Sequence, residues 1–536
     1  MNKIAKYLNQ HLVGNVFDRP EILSAYATDR SIVKIEPKMV VVPENTNDVR
    51  RIVRFVNQLA TKNVKLEIAV RGSGLDKTGA DLGPDLLVSM EHMNHIQEID
   101  ERSRLIRVQA GATLGDINDA LSLVGLTLPI SADPRETIGS LISNFSSEAY
   151  YYTDCLEAVI STGDVIQTSR FSRRGLNRKE GLTSTEGTIY RDLHGLIEDN
   201  IDIVSDLSRK NTIDGAGYQM ITQVYREKGH TFDLMPIFFA AQGTLGIITE
   251  VIMRCELLPE EPVHFAAAFN SAEDAISYAN EMKPLDPYKI DFYDARIFAT
   301  SANSGKDTTL FSKKFENGYI IIVAFNERAR KSNKKIAKCL KRLPETAAAV
   351  VETEENTTDF SRVQSALISF MNDDLRGERA PVVDDFYVPA DHLKDFLKDL
   401  RTQEKIYNLP LPLFGSFLNS NYSVRLDIRI NSVDGRQLAV RAIKDFASLL
   451  GDVEGSLTGG SPEGRTKAIM TNGLLSDGEL ELYQKIKDIF DPNHIFNPDI
   501  KLGAELKDTV KSLRTSNNIG ITSSLPHCGK RNGNTF

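Results

Sequence analysis

The feature that most constrains this chain is a glycine-rich loop that follows a short apolar strand. Residues 66–86 read LEIAVRGSGLDKTGADLGPDL, and the β-branched Ile68 and Val70 predict the strand. Four glycines come after it: Gly72, Gly74, Gly79 and Gly83. Because glycine carries no side chain, its backbone N–H can come close to a bulky anion, as pyrophosphate sites require. A plain connection between two strands is the alternative, and the loop alone does not exclude it.

Two better-known phosphate loops do not match. A P-loop needs glycine directly before Lys-Thr, whereas Asp76 precedes Lys77 and Thr78 here. A Rossmann fingerprint needs its glycines to open a helix. Gly79 leads instead to a Gly-Pro pair and a second apolar run, Leu86–Val88. The sequence therefore excludes a P-loop and disfavours a NAD site of the Rossmann type.

Size and charge narrow the class of protein. A chain of 536 residues is too long for one core and predicts two or three domains. A formal net charge of −9 argues against nucleic acid as a partner, because phosphate backbones are bound mainly by Lys and Arg.

Cysteine usage and hydropathy predict a cytoplasmic protein. The four cysteines are far apart and form no C-x-x-C pair, so no zinc site or iron–sulfur cluster is expected, and they are interpreted as reduced thiols. The N-terminal segment lacks the apolar core and cleavage site of a signal peptide, and no apolar run reaches spanning length. A peripheral contact with a membrane stays open.

Hydrophobic periodicity divides the chain into four parts. Residues 1–35 predict a helical lead-in, and a strand–helix–strand unit with Thr46 as the helix N-cap leads into the glycine loop. Thr113 is the expected cap of a later helix, and residues 156–168 predict a hairpin. Beyond residue 260, strands alternating with helices indicate a second domain. Residues 504–536 form a polar tail, expected to be poorly ordered.

Five segments carry a family resemblance through their order along the chain: PKMVVVPENTNDV, AVRGSGLDKTGA, LPISADPRETIGSLISN, AAQGTLGIITEV and FDPNHIFNPDIKLG. Together they resemble the FAD-binding proteins of the vanillyl-alcohol oxidase and p-cresol methylhydroxylase (PCMH) superfamily. Within it the chain is similar to the D-lactate dehydrogenase and glycolate oxidase large-subunit group. The resemblance implies an α+β fold. A two-subdomain PCMH-type FAD-binding domain (residues 36–260) would precede an α+β, ferredoxin-like cap domain (residues 261–503) whose C-terminal segment contacts the flavin.

The resemblance also implies which residues hold FAD. The pyrophosphate would be wrapped by Arg71, Gly72, Ser73, Gly74, Thr78 and Gly79. The flavin and its linker would be lined by Ile138, Gly139, Ser140, Ser143 and Asn144, and the adenosine side would be supported by Gly243, Ile247 and Ile248. Pro129 and Asn497 are further candidates for cofactor binding. Leu75 stands near the position where some relatives carry a histidine bonded to the flavin, so the FAD is expected to be non-covalent.

The second domain departs from the family pattern at its chemistry. Relatives carry a segment like G-H-x-G-D-G-N-x-H, whose histidines bind a divalent metal, and a later E-H-G segment. Here FGSFLNSNYSVR places Ser416 and Ser423 at the histidine positions, and LTGGSPEGRTKA places Gly460 and Ser461 at the Glu-His pair. Neutral hydroxyls are poor ligands for a transition metal. We therefore expect no catalytic metal.

Three functions remain in view. The first is an FAD-dependent oxidoreductase that takes a hydride from a small 2-hydroxy acid and passes electrons to a quinone or a carrier protein. Arg425 is a candidate clamp for the substrate carboxylate, with an exposed surface arginine as the alternative, and Tyr422 or Glu463 is a candidate base. The second is a flavin-binding subunit that has lost this activity. The third is a metal-independent oxidase of another alcohol or a sugar.

Overall fold

The protein is described from a computed structural model that covers residues 3–209, 215–226, 231–259, 262–298, 315–372 and 379–515. Cys528 and residues 516–536 of the predicted tail lie outside these ranges. Across the described residues, no helix combines the length and the apolar character that crossing a membrane requires.

A four-stranded sheet carries the glycine loop. Its elements are α1 (Lys3–His11), β1 (Asn15–Phe17), α2 (Pro20–Ala25), β2 (Met39–Val42), α3 (Thr46–Ala60), β3 (Ile68–Arg71) and β4 (Leu86–Ser89). The strand order is β1-β2-β4-β3, and β4 runs parallel to both β2 and β3. The predicted strand–helix–strand unit is confirmed, but the cap of α3 is Asn45 rather than Thr46. Asn45 accepts a hydrogen bond from the backbone N–H of Asp48 at 3.1 Å, and Thr46 is already helical.

A five-stranded antiparallel sheet forms the second half of the N-terminal domain, in the order β5-β6-β13-β8-β9. The elements are β5 (Ile96–Asp100), β6 (Leu105–Gln109), α4 (Leu114–Ser122), β7 (Leu126–Thr127), α5 (Ile138–Ser143), α6 (Ser147–Tyr152), β8 (Thr153–Val159), β9 (Val165–Gln167), β10 (Phe171–Ser172), α7 (Arg173–Glu180), α8 (Thr185–Asp199), α9 (Ile201–Arg209), β11 (Tyr225–Arg226), β12 (Thr231–Phe232), β13 (Ile247–Arg254) and β14 (Glu256–Leu257). Thr113 caps α4 and β8 pairs with β9, so both of these predictions are confirmed.

The C-terminal domain is built on a seven-stranded antiparallel sheet in the order β18-β15-β17-β16-β20-β21-β19. Its elements are β15 (Val263–Phe269), α10 (Ala272–Met282), β16 (Lys289–Asp294), β17 (Tyr319–Phe325), α11 (Ala329–Lys341), β18 (Ala348–Val351), α12 (Thr357–Asn372), β19 (Arg379–Tyr387), α13 (Leu393–Tyr407), β20 (Leu413–Ser416), β21 (Asn421–Asp427) and α14 (Val433–Asp452). Helices pack against this sheet, which confirms the α+β class.

Both faces of this sheet are buried, and the side-chain period of two decides which residue faces which core. Phe265 and Ala267 of β15 join one cluster with Phe396 of α13. Their neighbours Ala266 and Ala268 join the opposite cluster with Phe360 of α12. Helices on both faces hold the sheet rigid, so its edge can position polar side chains.

The last described elements return to the N-terminal domain. They are α15 (Gly464–Asn472), α16 (Asp477–Phe490) and α17 (Leu506–Ser512). Helix α17 lies in the segment expected to be a poorly ordered tail. The N–H of Lys34 donates to Ser512 O at 2.8 Å, and Leu513 is buried beside Val33. A few apolar residues in a polar segment are enough to dock it.

The N-terminal segment depends on one buried carboxylate. Asp48 is fully buried and accepts hydrogen bonds from the N–H groups of Val13 (2.9 Å), Gly14 (2.7 Å) and Glu44 (3.2 Å).

We expect Asp48→Ala to destabilise the protein by ~2–4 kcal/mol, because one buried and two part-buried N–H donors lose their acceptor. Asp48→Asn should cost less, and Asp202→Ala, an exposed change in the first turn of α9, should cost almost nothing. The midpoints of thermal unfolding test this, and equal midpoints for Asp48→Ala and Asp202→Ala would refute it.

Candidate active site

The glycine loop leaves β3 at Arg71 and turns at once. Gly74 and Gly79 have φ angles of +72° and +77°, a region that residues with a side chain rarely adopt. A Cβ on Gly74 would lie 2.2 Å from the guanidinium of Arg71. The loop therefore needs glycine for its conformation as well as for close approach.

The loop meets the start of α5. Thr137 caps this helix by accepting from the N–H of Ser140. A Cβ on Gly72 would lie 2.2 Å from Ser140 Oγ and 2.4 Å from Thr137 Oγ1. Two segments assigned to FAD, distant in sequence, are thus brought into contact.

Gln242 joins these segments to the C-terminal domain, and the sequence analysis missed it. Its side-chain amide donates to Thr78 Oγ1 and to Asn144 Oδ1, both at 3.1 Å, and its Oε1 accepts from the N–H of Gly464 at 2.9 Å. Gln242 is buried and has a φ of +49°, which is unusual for a residue other than glycine. Its place directly before Gly243 was the only signal of this role in the sequence.

Asn497 lies at the same contact between the glycine loop and the C-terminal part of the chain, which we call the seam. Its side-chain amide donates to Ala80 O at 2.7 Å and to Gln242 O at 2.8 Å, and its N–H donates to Ile68 O at 2.8 Å. Gly243 packs against Val70 of β3, where a Cβ would be 3.6 Å away. Three further parts of the predicted FAD site can be located. Ile247 and Ile248 are buried at the start of β13, and Pro129 is half-buried. The carbonyl of Ser143 accepts a hydrogen bond from the N–H of Gln242.

The residues present fit FAD. Ser73 Oγ and Asn497 Oδ1 are buried and have no hydrogen-bond partner within the described ranges. Buried polar atoms are normally satisfied, so atoms left over at a glycine loop point to a polar ligand. The N–H groups of Gly72 and Gly74, together with the Ser73 hydroxyl, are suited to an anion such as a pyrophosphate.

Three carboxylates lie close together at the glycine loop, and one of them, Asp81, lies 4.0 Å from Arg71 Nε. Ligand oxygens of Asp29, Asp76 and Asp81 lie within 4.8 Å of one another. Burial raises the pKa of both Asp76 and Asp81 to about 6, and it raises the pKa of Asp29 well above its usual value. Asp76 accepts from the N–H groups of Thr78 (3.0 Å) and Ala80 (2.8 Å), so its carboxylate folds the loop.

A second polar cluster lies where the family's metal histidines would be. Ser423 Oγ accepts from the N–H of Asp385 at 2.9 Å and lies 3.3 Å from Asp385 Oδ1. Lys77, from the glycine loop, places its Nζ 3.0 Å from Asp385 Oδ2 and 3.3 Å from Asp384 Oδ2. Although burial acts to raise it, the Lys77 ammonium holds the pKa of Asp385 below its usual range.

This donor set does not fit a transition metal. Hydroxyls replace imidazoles, and the carboxylates already face an ammonium. Ser416, at the other histidine position, accepts from the N–H of Asn419 at 3.3 Å. Among the described residues, Asp29, Asp76 and Asp81 are the acidic, His or Cys groups that lie close enough together to share an ion. They lie at the glycine loop and not at the positions of the family's metal histidines.

The three candidate catalytic residues are all buried. The guanidinium of Arg425 pairs with Asp384 and lies over the ring of Phe414, with 1% of its side chain exposed, so the alternative of an exposed surface arginine is wrong. Tyr422 is fully buried, which raises the pKa of its hydroxyl and keeps it protonated. Glu463 is fully buried, pairs with Lys501 at 2.5 Å and accepts from the N–H of Gly217, and burial raises its pKa.

Glu136 was also missed by the sequence analysis. It directly precedes Thr137 in the segment assigned to the flavin and is half-buried. Burial raises the pKa of Glu136 to about 7; Asp133 and Asp385 act in the same direction, whereas Lys77 and Arg30 act to lower it. An acidic residue beside a helix cap was the only signal in the sequence.

Two family models match this chain. The FAD binding domain matches residues 37–169, and the C-terminal domain of FAD linked oxidases matches residues 258–500. Together they cover most of the sequence.

Curated relatives are distant but extensive. A D-2-hydroxyglutarate dehydrogenase of Pseudomonas putida is 25% identical and covers 88% of this chain, which in turn covers 49% of that protein. The chain thus spans about half the length of the D-2-hydroxyglutarate dehydrogenases it matches. The glycolate oxidase subunit GlcD of Bacillus subtilis is 21% identical, with 86% of this chain and 88% of that protein covered.

Solved structures show the same fold. p-Cresol methylhydroxylase with substrate bound gives a TM-score of 0.67 at 14% identity, covering 93% of this chain and 96% of that one. Alkyldihydroxyacetonephosphate synthase gives 0.59 at 16% identity, covering 90% and 83%. At these identities the likeness establishes the fold alone.

A glycine at the seam between the domains tests the cofactor site. Gly464 has a φ of +50°, and a Cβ there would lie 2.1 Å from Thr78 Oγ1. We expect Gly464→Ala to push α15 away from the glycine loop, at a cost of ~1–3 kcal/mol, and to lower the FAD retained per chain after gel filtration. The control is Gly195→Ala in α8, where a Cβ meets nothing within 4 Å. Full FAD occupancy in Gly464→Ala would show that the seam does not shape the site.

Proposed function

This chain belongs to the FAD-linked oxidases with a PCMH-type FAD-binding domain, and we propose that it oxidises a small 2-hydroxy acid with non-covalent FAD as the hydride acceptor. The observation that carries the proposal is the convergence of the glycine loop with the start of α5 and with Asn497, together with a buried Ser73 hydroxyl that has no partner among the described residues. Relatives named D-2-hydroxyglutarate dehydrogenase, glycolate oxidase subunit and D-lactate dehydrogenase support the substrate class.

A non-covalent cofactor is inferred from the residue at the linkage position. Leu75 is buried beside the loop, and its side chain has no atom that can attack a flavin. Retention of FAD then depends on the loop and the seam, which is why Gln242, Thr78 and Asn497 matter to occupancy.

The reaction removes two electrons from the substrate. The substrate would lose the hydrogen at C2 as hydride and the proton of its hydroxyl to a base, and it would become a 2-oxo acid. Bound FAD would supply the hydride acceptor, while the protein would bind the substrate, orient it and accept the proton.

Of the three candidate catalytic residues, Arg425 is disfavoured as a clamp for the substrate carboxylate, because its guanidinium is 1% exposed and already neutralises Asp384. Tyr422 and Glu463 are disfavoured as bases. A phenol kept protonated accepts no proton, and the Glu463 carboxylate is held by Lys501 in the interior.

Two alternatives rest on Ser416 and Ser423 at the metal positions. A flavin-binding subunit without this activity would need neither metal nor base. A metal-independent oxidase of another alcohol or a sugar would need only the flavin.

Quinones or a carrier protein are the proposed electron acceptors. A cytoplasmic location is supported by Cys155, Cys255 and Cys339, which are all free thiols.

Anaerobic reduction separates these functions. The purified protein should show a two-band flavin spectrum, and acid should release its FAD. Mixed without oxygen, D-lactate, glycolate or D-2-hydroxyglutarate should bleach the flavin and yield one 2-oxo acid per FAD. L-lactate and benzyl alcohol serve as controls for stereochemistry and class. A flavin that dithionite reduces but no hydroxy acid bleaches would refute the proposal, and bleaching by benzyl alcohol or a sugar alone would favour the third function.

A further inference from the structure

Four large apolar side chains are exposed together at one end of the five-stranded sheet. Leu123 is 87% exposed, Tyr151 64%, Leu257 62% and Leu258 50%. They come from three segments that lie far apart in the sequence. Single exposed apolar residues are ordinary on a protein surface, but a group of them collected by the fold marks a site of interaction. We call these four residues the apolar patch.

Backbone pairing brings two of the segments together. Leu257 of β14 pairs with Leu126 of β7, and the N–H of Leu258 donates to Gly125 O at 2.8 Å. Leu123, the C-terminal cap of α4, stands two residues before Gly125. The most exposed leucine of the patch is therefore a close neighbour of the other two.

Arg254 holds the third segment at the same end of the sheet. Its guanidinium donates to Tyr151 O and lies 5.5 Å from the centre of the Tyr151 ring. Arg254 is the last residue of β13, and Leu257 follows it by three residues. The patch is thus built by tertiary contacts and not by an apolar run in the sequence.

We propose that the apolar patch is the docking surface for a soluble electron-carrier protein that oxidises the reduced flavin. The inference rests on the proposed function and identifies its electron acceptor as a protein and not a quinone in a membrane. Two carrier molecules each take one electron from the reduced flavin, and the proton that the flavin releases goes to solvent water. This restores FAD for the next substrate.

The patch lies beside two segments that are assigned to the cofactor. Pro129, a candidate for cofactor binding, follows Leu126 by three residues, so the Cα atoms of these two residues are at most ~11 Å apart. Tyr151 belongs to α6, which begins four residues after Ser143, the last residue of α5. A carrier bound at the patch is therefore held close to the flavin segments.

The charges around the patch are balanced, which favours a protein over a lipid surface. Arg104 and Arg254 are exposed, and so are Asp154 and Glu256. The N–H of Cys255 donates to Arg104 O at 2.8 Å, which places Arg104 beside Arg254 and Glu256. An anionic membrane attracts clusters of Lys and Arg, and a carboxylate next to an inserted leucine is costly in lipid. A mixed polar rim around an apolar centre is typical of protein interfaces.

The size of the patch favours a transient complex over a stable dimer of this chain. Four side chains that are half or more exposed present on the order of 500 Å² of surface. A stable interface buries about 1,600 Å² in total, whereas electron-transfer complexes bury less than about 1,200 Å². A carrier that leaves after taking one electron needs an interface of the smaller kind.

The first experiment follows re-oxidation of the holoenzyme after anaerobic photoreduction of its flavin, so it needs no substrate. The soluble proteins of the source cells, freed of small molecules by gel filtration, should re-oxidise the wild type. The double variant Leu257→Ser, Leu258→Ser should be re-oxidised about 10-fold more slowly, because two apolar contacts with the carrier are lost. Both should react equally fast with 2,6-dichlorophenolindophenol, a small dye that needs no docking surface.

Leu474→Ser is the matched control. Leu474 is a 68% exposed leucine between α15 and α16, outside the patch, so its variant should behave like the wild type with both acceptors. Washed membranes of the same cells test the quinone route and should re-oxidise the flavin more slowly than the soluble proteins. Equal rates of the wild type and the double variant with the soluble proteins, or re-oxidation by membranes alone, would overturn the inference.

The second experiment measures contact and needs no turnover. Leu257→p-benzoylphenylalanine, a photoreactive and still apolar side chain, is introduced in the source cells, which are then irradiated. The adduct should join this chain to a protein that holds a redox centre, and Leu474→p-benzoylphenylalanine should give no such adduct. The captured protein, once purified, should oxidise the photoreduced wild type about 10-fold faster than the double variant. An adduct with a second copy of this chain, with phospholipid or with a protein lacking a redox centre contradicts the inference, and so does the absence of any adduct.

The outcomes separate this inference from the proposed function. If no 2-hydroxy acid reduces the flavin, the proposed function fails, and the photoreduced holoenzyme still decides whether the patch docks a carrier. If hydroxy acids reduce the flavin but the patch variants are re-oxidised like the wild type, the inference fails and the proposed function stands.

Discussion

The side-chain amide of Gln242 is the interaction on which the site depends. It links Thr78 of the glycine loop, Asn144 at the end of α5 and Gly464 at the start of α15. The bonds to Thr78 and Gly464 are buried, so the loss of either partner would leave an unsatisfied polar group, at a cost of ~1–3 kcal/mol. Because one side chain joins both domains, the glycine loop and the cap domain are positioned together and not independently.

The local parts of the fold could be predicted from the sequence. A strand run into glycines, a threonine before an amphipathic helix and a Gly-Asp turn all act within a few residues, and they produce β3, α4 and the β8–β9 hairpin. The sequence predicts Thr46 as the cap of α3, whereas the structure has Asn45. Two residues that favour the cap position stand side by side here, and the local sequence does not select between them. The docking of α17 depended on a contact with residues 32–34, some 480 positions away, which no local pattern reveals.

The site divides in the same way. Glycine positions could be predicted, because their backbone geometry is a local requirement. Gln242 and Lys77 could not, because their partners lie more than 50 residues away in the sequence: Lys77 faces Asp385, and Gln242 faces Thr78. Arg425 was located on the right strand, but whether its guanidinium is exposed depends on Asp384, which only the folded sheet brings beside it.

The missing metal ligands of the family pattern and the presence of Lys77 are both explained by the need to compensate two adjacent carboxylates. Asp384 and Asp385 are adjacent carboxylates at the edge of a buried sheet, and two such charges in a low-dielectric region need compensation. In a metal site a divalent cation could supply it. In this chain, Ser416 and Ser423 stand at the positions of the histidines that would hold such an ion. The positive charge comes instead from Lys77 and Arg425. The ammonium of Lys77, on a flexible stem, compensates the pair while 27% of its side chain stays exposed. The charges of this cluster are therefore compensated without a metal.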